Sequence, residues 1–239
     1  MDVVLSKSRL RPLLFVPMGL VVLAGVLVEV LKPLYDLPSR SGIVPFLSMS
    51  YEGNVPTFYT AALLGFTSLL LALAAAATKR AGERFAAHWW GLSAGFAYIA
   101  VDEVFSFHEM AGTFVQLSGV LYFSWVIPAA VVVLLVGLAY IPFLRALPLK
   151  TRIRFLVAGA IYVGGAVGME LPLGYWTEQN GMHNLGYGLI DAVEESLEML
   201  GINLFVLWLV DHLAAKGVTL RFDSPAPEPT PEAEAADAP

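Results

Sequence analysis

The sequence predicts an all-α polytopic membrane protein, six transmembrane helices in a bundle with both termini cytoplasmic. Three observations predict it. Hydrophobic residues make up 57% of the 239-residue chain, and its mean hydropathy is +0.70, a composition typical of membrane-embedded proteins. Six apolar stretches reach the roughly 20 residues that a helix needs to cross a bilayer. The basic residues also fall almost entirely on one side of a six-span arrangement.

The spans are expected at about 12–32, 57–78, 86–109, 121–144, 153–171 and 187–213. Lys7, Arg9 and Arg11 precede the first as they would a signal peptide. Its apolar run is long for a signal, however, and no A-x-A cleavage pattern follows, so it is expected to be a retained span. The connection from 33 to 56 is the longest, and apolar enough to lie in the interface. His88, Trp89 and Trp90 mark the cytoplasmic end of span three and His212 that of span six, where aromatic belts form. Pro128 is expected to bend span four. Gly91 with Gly95, and Ala160 with Gly164 and Gly168, have the small-xxx-small spacing of close helix packing. Residues 222–239, rich in Pro, Ala and acids, cannot bury a core and are expected to form a disordered cytoplasmic tail on a membrane domain of 1–221.

Orientation follows from charge. Lys7, Arg9, Arg11, Lys79, Arg80, Arg84, Arg145, Lys150, Arg152, Arg154, Lys216 and Arg221 fall on one side, and only Lys32 and Arg40 on the other. The positive-inside rule makes the first side cytoplasmic, and the plasma (inner) membrane is the expected location. The chain has no cysteine, which excludes disulfides, thiolate metal sites and cysteine nucleophiles. No lysine sits mid-span to carry a retinal Schiff base. No nucleic-acid partner is expected, and oligomeric state is not encoded.

The acidic residues carry the functional signal. Arg11 to Glu29 is 18 residues, Arg84 to Asp102 is 18, Arg154 to Glu170 is 16 and Glu198 to Lys216 is 18. With a helical rise of 1.5 Å per residue, four carboxylates lie at one level, about 24–27 Å from the basic anchors. A second tier of His108, Glu109, Asp191, Glu194 and Glu195 follows, within reach of Glu52 from the loop. On a continuous helix Asp102 and Glu109 nearly eclipse, with Ser106 between them and Glu103 and His108 flanking. Asp191, Glu194, Glu195 and Glu198 share an arc of about 100°. Such a face cannot point at lipid. Glu29, Glu170 and Asp191 are near enough to helix ends to snorkel instead. Twelve acids occupy the outer half against Lys32 and Arg40, so a metal cation, shared protons or a cationic substrate must balance them. His183, in the outer loop, reads as a surface histidine.

The motifs EGNVPT (Glu52 to Thr57), DEVFSFHE and EESLEMLG (ending at Gly201) resemble those of a group of uncharacterised bacterial and archaeal multi-pass membrane proteins. That resemblance implies an integral membrane fold and marks these residues, and implies no particular chemistry. Ser106 and His108 also resemble part of the site of alkaline-ceramidase-like membrane hydrolases, which hold zinc with three histidines on seven helices. The paired late-helix histidines of that family are absent here.

Three functional classes stay open. The first is a metal-dependent membrane enzyme, hydrolase-type, acting on a lipid or another amphiphile. A divalent ion with oxygen-rich ligation would be held by Glu52, Asp102, His108, Glu109, Glu194 and Glu198, and Glu103 or Glu195 would serve as acid or base. The others are a proton- or cation-coupled transporter and a non-catalytic metal-stabilised scaffold or sensor. The apolar inner halves of the spans speak against a charged path across the membrane. Membrane lipids are the expected partners.

Overall fold

In the computed structural model, residues 7–112 and 116–218 are described, and the side chains of Lys7, Glu109, Ala111 and Gly112 are not. Both the acidic tail at 222–239 and the expected ligand atoms of Glu109 lie outside this description. The fold is all-α, with no strand among the described residues. Its helices are α1 (Lys7–Leu34), α2 (Ile43–Leu47), α3 (Val55–Arg80), α4 (Ala86–Phe105), α5 (Phe107–Gly112), α6 (Val126–Ala139), α7 (Ile141–Ala146), α8 (Leu149–Val163), α9 (Glu170–Asn180) and α10 (Leu185–Ala215). A π segment, Gly164–Met169, joins α8 to α9. Four uninterrupted helical stretches, Ser8–Leu34, Val55–Arg80, Leu149–Asn180 and Leu185–Ala215, are long and apolar enough to cross a membrane.

The central helix is α10, with α1, α3, α8 and the π segment packed around it and α4 packed on α3. Helices α8 and α10 run antiparallel, which the cross-contacts show. Arg154 pairs with Asp211 at 3.0 Å, Gly201 lies against Tyr162, and Gly165 lies against Glu194 and Glu198. One end of the bundle thus gathers the basic segments. Lys216 pairs there with Glu83, while Trp89 stacks on buried His212 with ring centroids 5.4 Å apart. Above this end, Trp89, Phe155, Phe205, Leu71 and Leu209 form the apolar core, with Phe96 stacked on Phe205 at 5.4 Å.

The EGNVPT segment has a local physical logic. Gly53 takes φ +69°, a left-handed turn cheap only for glycine. Asn54 then caps α3, its Oδ1 accepting the Thr57 N–H at 3.2 Å, while its Nδ2 donates to the Ser48 carbonyl at 2.6 Å. Pro56 sits in the first turn, where an N–H has no helical partner to lose. Residues 43–54 therefore fold against the bundle, with Ile43 and Phe46 left exposed. Val44, Ser48, Met49 and Asn54 are buried, and Met49 packs over Gly25 of α1. The inward fold of this loop also changes Glu29. That carboxylate is completely buried, accepting from Ser48 Oγ and pairing with Lys32 at 2.8 Å. Glu170 and Asp191 are buried as well, so none of the three snorkels out.

Several expected features take another form. The helix expected over 86–109 breaks at Ser106, which adopts φ +51°. Pro128 lies in the first turn of α6 instead of bending a span from inside, because the stretch 116–125 is non-helical apart from the 3₁₀ turn Gly119–Leu121. Pro172 has no N–H to give to the Gly168 carbonyl, and the helix widens into the π segment just before it. Gly165, not Gly164, is the glycine against α10, in helical register with Phe155, Ala158 and Tyr162, and a Cβ at Gly164 or Gly95 would meet nothing within 4 Å.

Candidate functional site

Between α4, α6, the π segment and α10 lies a cavity of about 970 Å³, within the usual size range of small-molecule sites. Its polar lining includes Glu52, Asp102, Glu103, Glu170, Asp191, Glu194, Glu195 and Glu198, together with His108. None of its lining residues is Lys or Arg. Its apolar lining includes Ile99, Pro128, Ala129, Val132, Val133 and Val167. The α6 wall is thin. Helix α6 packs against the π segment and α7, and its large side chains from Val131 to Leu138 are exposed.

Each acidic side chain has a local cause for its position. Asp191, Glu194, Glu195 and Glu198 occupy one face of α10, by the 3.6-residue period. Gly165 lets the π segment approach that face closely, since a Cβ there would fall 2.9 Å from the Glu194 carbonyl oxygen and 3.1 Å from Glu198 Cγ. Glu52 is placed by the turn at Gly53 and accepts from Thr57 Oγ1 at 3.3 Å. Glu103 feels the charges of Glu52 and Asp102, and Glu195 those of Glu198, Glu103, Asp191 and Glu52. These carboxylates form one electrostatic unit.

The break at Ser106 creates a carboxylate–histidine pair. Asp102 Oδ1 accepts the His108 backbone N–H at 3.1 Å, and Oδ2 accepts the ring Nδ1–H at 2.7 Å. A side chain offering the backbone an alternative partner ends a helix in this way. The bond fixes the tautomer, so Nε2 keeps the free lone pair. The imidazole is backed by Trp125, with ring centroids 4.8 Å apart. The Trp125 indole N–H in turn donates to Glu170 Oε1 at 2.9 Å.

The expected ligand residues Glu52, Asp102, His108, Glu194 and Glu198 thus reach one chamber, as do Glu103 and Glu195. Their joint ligation of one ion is a different matter. Among the described residues, no three His, Asp or Glu side chains converge closely enough to hold a metal. The physical reason is the broken helix. Both Asp102 oxygens accept from His108, the left-handed turn at Ser106 interrupts the helix expected to be continuous, and the Glu109 side chain lies outside the described residues. Tyr162 and Trp125 also line the chamber, and sequence reading passed over both. The signal for Tyr162 was a lone phenol in the middle of an otherwise apolar run. Trp125 carried none. His183 is exposed, and His88 stacks on Phe143 at the opposite end, with centroids 5.7 Å apart.

A family model described as Domain of unknown function (DUF8692) matches residues 7–213. The chain belongs to this family. The DUF8692 match runs from the start of α1 almost to the end of α10, so every chamber-lining residue lies within it. No curated protein and no solved structure matches the chain.

Proposed function

We propose that this DUF8692 protein is a plasma-membrane enzyme of hydrolase type that takes a lipid or similar amphiphile into its chamber from the outer leaflet. The observation that carries this reading is the division of the chamber lining between eight carboxylates with His108 and the apolar side chains that α6 supplies. An amphiphile has the same division. The six-span arrangement with cytoplasmic termini belongs to this proposal. Helix α4, with 20 residues, rises about 30 Å, and α6 with α7 covers a similar length across 126–146. The basic segments gathered at one end support the orientation. The aromatic core of Phe96, Phe155 and Phe205 lies between the chamber and that end, an arrangement that favours chemistry over transport.

In this reading His108 Nε2 takes a proton from a water molecule, and the resulting hydroxide adds to an ester or amide carbonyl of the headgroup. The C–O or C–N bond then breaks, and the leaving group takes a proton from Glu103 or Glu195. Asp102 holds the imidazole in position and balances the charge it gains. The test is turnover of a membrane lipid extract by the protein reconstituted in vesicles, read by mass spectrometry. Hydrolytic products must appear with the wild-type protein, and an unchanged lipid profile would overturn the enzymatic reading.

The Asp102–His108 bond also favours a second reading. Metal-ligating histidines commonly donate their other N–H to a carboxylate, so Nε2 is equally suited to a divalent ion, with Glu52, Glu194 or Glu198 moving in as oxygen ligands. Elemental analysis after chelator-free, metal-replete preparation separates the two. The metal reading requires about one ion per chain, lost in Glu198→Ala and His108→Ala, and metal-free protein that still turns over lipid would exclude it.

A further inference from the structure

Resting on the chamber reading above, the geometry points to the class of amphiphile: we infer that the chamber selects a cationic headgroup, an ammonium, over neutral and anionic ones. Charge balance is the first support. The chamber is lined by eight carboxylates and no Lys or Arg, and the nearby Lys32 is already paired with Glu29.

The second support is independent of the count of acids. Glu194 and Asp191 are 8% and 9% exposed, and both line the chamber. Glu194 Oε2 is buried and accepts no hydrogen bond from the protein, while Asp191 beside it has Ser50 as a hydrogen-bond partner. A buried acceptor left without a donor is costly, so the Glu194 oxygen defines where a donor belongs. An ammonium offers up to three N–H donors and a positive charge, whereas a hydroxyl offers one donor and a sulfate none. Trp125 and Tyr162 also line the chamber, and aromatic faces attract ammonium ions. The alkyl chain then lies along Val132 and Val133. The division of labour is simple: the α6 wall supplies affinity for any chain, and the α10 carboxylates supply the preference among heads.

The experiment uses photoreactive dodecylamine, dodecanol and dodecyl sulfate, each carrying a diazirine on the chain, with the full-length protein in dodecyl maltoside. Labelled peptides are mapped by mass spectrometry. Dodecylamine is expected to label the α6 wall around Val132 and Val133 at least tenfold more than dodecanol, with dodecyl sulfate excluded. In the Asp191→Asn/Glu194→Gln variant the amine loses that excess, while dodecanol labelling persists and shows that the chamber is intact. Equal labelling by amine and alcohol in the wild-type protein would overturn the headgroup preference and leave the amphiphile chamber standing. An undiminished amine preference in the double variant would overturn the assignment to these carboxylates. Absence of α6 labelling by all three probes would remove the chamber reading and this inference with it.

Discussion

Replacing His108 by alanine is expected to lower lipid turnover by about 10²–10⁴-fold, the usual contribution of a positioned general acid–base group. The loss should fall on kcat, because the carboxylates and the α6 wall that hold the substrate are untouched. Asp102→Asn is the sharper companion. Asparagine keeps an oxygen for the His108 backbone N–H, so the break at Ser106 survives. What it loses is the anion that fixes Nδ1–H and stabilises the charged imidazole. Turnover should fall by at least about 10²-fold with KM little changed. Equal rates for wild type and Asp102→Asn would show that the 2.7 Å bond has only a structural purpose.

The second large effect concerns packing. Gly201→Val is expected to destabilise the protein by about 3 kcal/mol, the upper part of the overpacking range. An ideal Cβ at this position would lie 2.7 Å from the Tyr162 backbone nitrogen and 2.9 Å from its Cα. Backbone cannot rotate aside as a side chain can, so α8 and α10 must separate, and Tyr162 moves out of the chamber wall. Gly164→Ala and Gly168→Ala are the controls. A Cβ meets nothing within 4 Å at Gly164, and only the Val163 carbonyl oxygen, at 3.8 Å, at Gly168. Thermal or denaturant unfolding in detergent should rank Gly201→Val well below both controls. Three variants of similar stability would contradict the close α8–α10 approach.

These glycines show where sequence reading succeeds and where it stops. The spacing of Gly164 and Gly168 identifies a small-residue stripe in the right helix. Which glycine meets α10 depends on which face of α8 the core takes, and the face of Phe155, Ala158 and Tyr162 leads to Gly165. Asp102, Glu170 and Glu198 could be grouped from the sequence because a straight helix converts residue number directly into height. All three do line one chamber. Glu29, at the same counted depth, does not. Its burial against Ser48 depends on residues 43–54 folding inward, a tertiary event that no helical period encodes.

Helix 86–109 failed as a single element for a comparable reason. The pattern of VDEVFSFHE is apolar enough to continue a helix, and only the competition of the Asp102 carboxylate for the His108 N–H stops it at Ser106. The same competition sets His108 against Asp102 as a carboxylate–histidine pair. A local hydrogen bond between side chain and backbone thus decides the chemistry that the wider pattern of acids left open.

The central claim is that the chamber holds an amphiphile, and native mass spectrometry of the protein released from its membrane in mild detergent tests it most directly. The wild-type protein should retain about one bound amphiphile per chain. Ala166→Trp, which fills the chamber from the π segment and leaves every carboxylate in the sequence, should lose it while remaining folded. A wild-type protein carrying no amphiphile, or a folded Ala166→Trp variant carrying as much as wild type, would contradict the account.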